Sequence, residues 1–163
     1  MLPRTGRTAS WKTDAVRLTT GECWARLQAV DHGVLCTMNA SGAIDAVPSC
    51  LAVVGARIVT PIDTVKPKAT TDLARRTNLD RDARATLLCE HWDPHDWSRL
   101  WWVRARLVSA PGTVHDGVDY GSALRVKYPQ YSATEFAALL VFDVADLRGW
   151  SAADYPGETD PLM

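Results

Sequence analysis

The stretch "VLCTMNASGAIDAVPSCLAVVGARIVTPID", residues 34–63, limits the possible folds more than any other part of the chain. Three short apolar segments are separated by "NASG" and "VGAR", each with the glycine that a tight reversal favours. Such segments predict short strands running back and forth as an antiparallel meander. Pro48, inside the second segment, has no N–H to give to a ladder, so that segment predicts an edge strand, a bulge or an interruption.

The rest of the chain adds strands rather than βαβ units. "ARATLLCEH" and "RLWWVRARLVSA" predict two strands joined by the polar "WDPHDWS" turn, and "AALLVFDVADLRGW" predicts a last one. Helices are few. In "TTGECWARLQAV", Thr19 and Glu22 have capping-box spacing, with Leu18, Leu27 and Val30 for an inner face and an end near Gly33. "KATTDLARRTNLDRD" predicts a helix with Leu73 and Leu79 inward and its arginines outward, and "HDGVDYGSALRVKYPQY" a short helix leading into a proline loop. About six strands with few helices predict a mainly β, small antiparallel barrel. The domain is expected over residues 16–152, between an arm at 1–15 and a tail at 153–163.

Composition narrows the function. With 18 basic and 19 acidic residues in 163, no global field draws the protein to nucleic acid or anionic lipid. The longest apolar runs fall far short of the roughly 20 residues of a membrane helix, and the N-terminus lacks an apolar signal core. A cytoplasmic protein is expected. Cys23, Cys36, Cys50 and Cys89 are widely spaced, and three lie in apolar stretches where a thiol packs as a small hydrophobe. Around Cys89, "CEHWDPHD" places His91 and His95 near aspartates, but Pro94 breaks the spacing and no second ligand cluster exists, so no metal is expected. No Walker motif, GxGxxG or nucleophile elbow occurs, and no catalytic side chain is assigned. Chemistry would then be carried by a cofactor.

Two local clusters bear on a ligand. "TVKPKATTDLARR", residues 64–76, gathers Lys66, Lys68, Thr70 and Thr71 where a helix should begin; unpaired N–H groups and the positive dipole end make that a phosphate site, and a solvated basic turn with a threonine cap is the alternative. In "DWSRLWWVRAR", strand alternation puts Trp101 and Val103 on one face and Trp102 and Arg104 on the other, so one indole must point away from its own core. That indole covers a ring-shaped ligand, a second subunit, or one of the chain's own helices.

"IVTPIDTVKPKATTDLARRTNLDRDARATLL", followed by "DWSRLWWVRA" and "LRVKYPQY", resembles the pyridoxamine-phosphate-oxidase-like flavin and deazaflavin family, and within it the actinobacterial branch assigned to coenzyme F420. The resemblance runs from about residue 20 to residue 151. It implies a six-stranded antiparallel split β-barrel that forms a homodimer with two flavin-type sites at the interface. By the same analogy Lys66, Lys68, Thr70 and Thr71 grip the cofactor phosphate. Thr60, Pro61 and Ile62 present backbone to the ring edge, and Pro48 and Ser49 border the ring. Trp101, Trp102 and Arg104 lie on the strand that pairs across the dimer. The implied cofactor is F420, with FMN as alternative, and the implied activity is hydride transfer to a small unsaturated organic substrate. An F420 tail would ask for further cations, for which Arg75, Arg76, Arg125 and Lys127 are candidates. A non-catalytic binder of a flavin or haem-like ligand is the reading from another class.

Overall fold

In a computed structural model of the chain, which describes residues 16–63, 74–110 and 117–152, eight strands form one antiparallel sheet. The strands are β1 (Val16–Arg17), β2 (Gly33–Met38), β3 (Ile44–Ser49), β4 (Ala52–Val54), β5 (Arg57–Asp63), β6 (Arg84–His91), β7 (Trp101–Ser109) and β8 (Phe136–Ser151). The helices are α1 (Thr20–Ala29), α2 (Ala74–Arg81) and α3 (Tyr120–Lys127). The six longer strands are those expected from the apolar segments; β1 and β4, of two and three residues, are additional. The expected arm at 1–15 and tail at 153–163 lie outside the described residues.

The order β3-β2-β6-β7-β8-β5-β4, with β1 alongside β8, corrects the expected meander. The two reversals form as predicted: Asn39 Oδ1 accepts from the Ser41 and Ala43 amides beside Gly42 at φ 83°, and Gly55 turns β4 into β5 at φ 60°. However, β3 and β4, neighbours in sequence, do not pair. Residues 44–54 act as a single strand that leaves one ladder at Ser49 and enters another at Ala52. The neighbour on a strand's far edge comes from distant sequence, so turn chemistry does not specify it.

This connection also closes the sheet. β3 and β4 are the two ends of the strand order, yet only Cys50 and Leu51 separate them. Three peptide steps span at most about 11 Å, so the sheet must curl until its ends meet. The result is an antiparallel barrel with a split along the seam, and Pro48 sits on the edge strand as expected.

Side chains of alternate residues fill the barrel: Leu35, Leu87, Val103, Leu107, Ile58 and Phe142 are fully or almost fully buried. Helix α1 supplies Cys23 and Leu27 to this core, and its entry is set by Thr19, whose Oγ1 accepts from the Glu22 amide while the Glu22 carboxylate accepts from the Thr19 amide. Gly33 and Gly149 admit close packing, since a Cβ at Gly33 would lie 2.6 Å from Cys89 Sγ and one at Gly149 2.7 Å from Cys23 Sγ. A second core, with Val59, Tyr120, Leu124, Tyr131 and Val141, lies under α3 on the outer side of β5 and β8.

Candidate functional site

The split is built from the point where residues 44–54 change partners. Ala52 pairs with Val59, but before Ala52 the chain turns to β2, leaving Thr60–Asp63 of β5 without a strand partner on that side among the described residues. Pro48 and Ser49 thus flank one side of the seam and Thr60, Pro61 and Ile62 the other. Helix α2 fills the mouth. Its Leu79 enters the main core, and Arg75 Nη2 donates to the Pro61 carbonyl at 3.0 Å. Asn78, 4% exposed, donates through Nδ2 to Thr37 Oγ1 at 3.0 Å and to Asp45 Oδ2 at 2.8 Å, while Asn39 donates to Asp45 Oδ1 at 2.9 Å. The two amide bonds hold the Asp45 carboxyl below its ordinary range. These anchors fix the helix that directly follows the predicted phosphate segment.

Within the seam the side chains point differently from the backbone. Thr60 and Ile62 face the barrel interior, and Thr60 Oγ1 is buried without a hydrogen-bond partner. Pro61 is buried on the other side. What this segment leaves towards the seam is backbone, and of that the Pro61 carbonyl is held by Arg75 and Pro61 has no N–H. Ser49 is also buried, its Oγ donating to the Cys50 carbonyl at 3.1 Å, whereas Pro48 is exposed. Lys66, Lys68, Thr70 and Thr71 lie outside the described residues.

The adjacent tryptophans separate as strand alternation requires. Trp101 packs against the main core, stacks on His91 at 6.4 Å between ring centroids, and carries the Arg26 guanidinium 5.6 Å from its ring. Trp102 and Arg104 face out. The register aligns Pro48, Val34, Leu88, Arg104 and Arg148 in one row across five strands, about 19 Å at ~4.8 Å per strand. Around that row stand Met38, Ile44 and Leu88, 37%, 59% and 38% exposed, which belong to neither core. These three leave apolar area on the outer sheet face beside the two arginines of the row.

One chain does not bring all of the predicted residues together. Thr60 pairs with Leu140, and Trp102 with Trp150, ten residues further along the same strand. At ~3.3 Å per residue that is about 33 Å of strand.

Three of the four extra cations are engaged within the chain. Arg75 holds Pro61; Arg125 Nη2 donates to the Thr134 carbonyl at 3.2 Å and lies over the Phe136 ring; Lys127 Nζ reaches the Leu27 carbonyl at 3.5 Å. Burial pulls the Lys127 ammonium below the usual lysine range. Arg76 is exposed and lines a cleft of about 570 Å³ with Leu79, Asp80, Asp119, Tyr120 and Leu140. Two carboxylates share that cleft, so it is not an anion trap. Cys89 points into the barrel, where burial pushes its thiol up to about 12, and no group of three His, Cys, Asp or Glu among the described residues is arranged to hold a metal.

Sequence reasoning passed over Arg148 and Trp150, which share the outer face with Arg104 and Trp102. Their alternation with Gly149 in "LRGW" was the available signal. It also passed over Asn78, for which a polar residue at a helical inward position was the only hint.

The barrel, its split and its uncovered face define an antiparallel split-barrel fold, and solved structures share it. No model of a known protein family and no curated protein matches the chain. A FAD-binding protein from Mesorhizobium loti matches with a TM-score of 0.58 and 16% identity, covering 85% of this chain and 99% of its own. A Corynebacterium glutamicum protein provisionally named a pyridoxamine 5'-phosphate oxidase matches with a TM-score of 0.54 and 13% identity, over 84% and 97%. A haem-binding protein from Mycobacterium smegmatis matches with a TM-score of 0.62 and 17% identity, over 85% of this chain and 56% of its own. At these identities the likeness is one of fold. No described helix is long and apolar enough to cross a membrane.

Proposed function

We propose that the chain is an oxidoreductase that binds a flavin-type cofactor at a homodimer interface and passes a hydride between it and a small unsaturated organic substrate. The observation that carries this reading is the separation along β8: the seam residues and the Trp102 face sit far apart in one chain, so a site using both takes one half from each of two chains. The uncovered face provides the surface on which a second barrel would rest, and the FAD-binding neighbour supports a flavin-type ligand.

The residues fit such a cofactor in one respect: beyond Val59 the seam side of β5 has no strand partner among the described residues, which leaves backbone beside an exposed Pro48 except at the Pro61 carbonyl, held by Arg75. In the proposed site Lys66 and Lys68, with the hydroxyls of Thr70 and Thr71, neutralise the phosphate. The backbone of Thr60, Pro61 and Ile62 orients the ring edge, with Pro48 and Ser49 at its border. Trp102 of the other subunit excludes water from the ring. The bound cofactor supplies hydride transfer. The chain's own part would be to orient the ring and keep water from it, with the proton drawn from solvent or a side chain.

Coenzyme F420 is the cofactor favoured by the sequence resemblance. FMN is the alternative, and it gains support because three of the four candidate tail cations are engaged within the protein. Titration of the purified protein with F420 and FMN, followed by reoxidation of the reduced cofactor over a panel of enones and tetrapyrroles, tests the reading. Binding of neither, or a strictly monomeric protein, overturns it. The haem-binding neighbour favours a second reading, a non-catalytic ligand carrier, which tight binding without turnover would select.

A further inference from the structure

Arg104 stands near the middle of the outer face, half-buried: its Nε is sealed among protein atoms with no acceptor, and its two terminal nitrogens stay open to solvent with no partner among the described residues. The sealed Nε costs free energy in the free protein. Directly across the ladder on one side is Leu88, and on the other is Arg148, a like charge on the same face. Cross-strand like charges add to the cost. Arg148 Nε reaches Asp146 Oδ2 at 3.2 Å, while Arg104 pairs with no carboxylate among the described residues. Glu90 lies opposite Trp102 and makes no ion pair with any of them. Two residues further along the strands, Trp102 and Trp150 face each other, both half-buried and outside either core.

We propose that Arg104 and Arg148 form an oxyanion clamp for the carboxylate or phosphate of a planar substrate whose ring rests on the Trp102 and Trp150 indoles. Guanidinium forks match such oxyanions in two-point fashion, and an indole pair beside them offers the apolar flat surface a ring requires. An anion on the open terminal nitrogens would neutralise the Arg104–Arg148 repulsion; the sealed Nε lies out of its reach. Calling this ligand the substrate rests on the redox reading given above; the clamp itself does not.

The test uses the cofactor-free protein and naphthalene-2-carboxylate as probe, with naphthalene-2-carboxamide as its neutral counterpart, measured by calorimetry. The wild-type chain is expected to bind the acid at least about tenfold more tightly than the amide, as a charge-assisted hydrogen bond would give. Arg104→Gln and Arg148→Gln should each bring the two affinities close together with unchanged circular dichroism. Equal binding of acid and amide by the wild type, or full selectivity in both variants, overturns the clamp. So does loss of the dimer in Arg104→Gln, by sedimentation, together with a wild type indifferent to probe charge, since Arg104 then faces a carboxylate of a second copy. FMN and F420 titrations run separately on wild type keep the two readings apart: charge selectivity without cofactor binding sinks only the redox reading, and the reverse sinks only the clamp.

Discussion

The hydroxyl of Tyr128 accepts from the Leu51 amide at 3.0 Å and lies 2.8 Å from the Leu51 carbonyl, at the point where residues 44–54 pass from one ladder to the other. Leu51 belongs to no strand pair, so its backbone groups find no partner in the sheet. A buried peptide group must be satisfied by something, and here a side chain from the end of α3 does it. The same hydroxyl is 2.8 Å from the Asp31 carbonyl, which ties the α1–β2 connection to the seam. Its single proton serves one of the two carbonyls at a time.

Tyr128→Phe should therefore cost about 1–3 kcal/mol, the penalty for leaving the Leu51 amide buried without an acceptor. A urea titration measures this as a lower midpoint with unchanged slope. An unchanged midpoint would show that water replaces the hydroxyl.

Stability should fall steeply in alkali. Burial pushes Tyr128 up to about 12 from an ordinary 10.0, and Cys89 up to about 12 from 9.0. Because both folded values are raised, their stabilising contributions are complete below about pH 9 and are lost as pH climbs towards 12. The urea midpoint should be flat from pH 7 to 9 and decline above, and Tyr128→Phe should flatten that decline in part.

Asn78→Ala strips the polar dock of α2, leaving Thr37 Oγ1 and Asp45 each short of a donor. A loss of about 1–3 kcal/mol is expected. Amide exchange should speed up in α2 and in the β2–β3 turn before it does in β7, and uniform acceleration across the sheet would count against a local dock.

Thr60→Val replaces a buried hydroxyl that has no partner by a methyl group of nearly the same shape. The change should be neutral or stabilising by up to about 1 kcal/mol. Affinity for the flavin-type cofactor proposed above should not move, because this side chain points into the barrel; a tenfold loss would place the hydroxyl on the ligand.

Gly33→Ala forces a methyl group to within 2.6 Å of Cys89 Sγ and 2.9 Å of the Leu88 carbonyl. Overpacking of this kind costs about 1–3 kcal/mol. Thermal unfolding should shift downward accordingly.

Much was legible in the linear chain because it depends on near neighbours. Alternation put Trp101 and Trp102 on opposite faces, the Thr19–Glu22 spacing set the start of α1, and Pro48 marked an edge, a bulge or an interruption, since each effect acts within a few residues. Only the tertiary structure decided the partners: that β3 and β4 pair in different ladders and curl the sheet shut, that Arg75, Arg125 and Lys127 are spent on carbonyls inside the molecule, and that Arg148 stands beside Arg104. Those facts follow from contacts between residues tens of positions apart, which are settled by how the whole sheet buries its inner face, and local pattern carries no record of that choice.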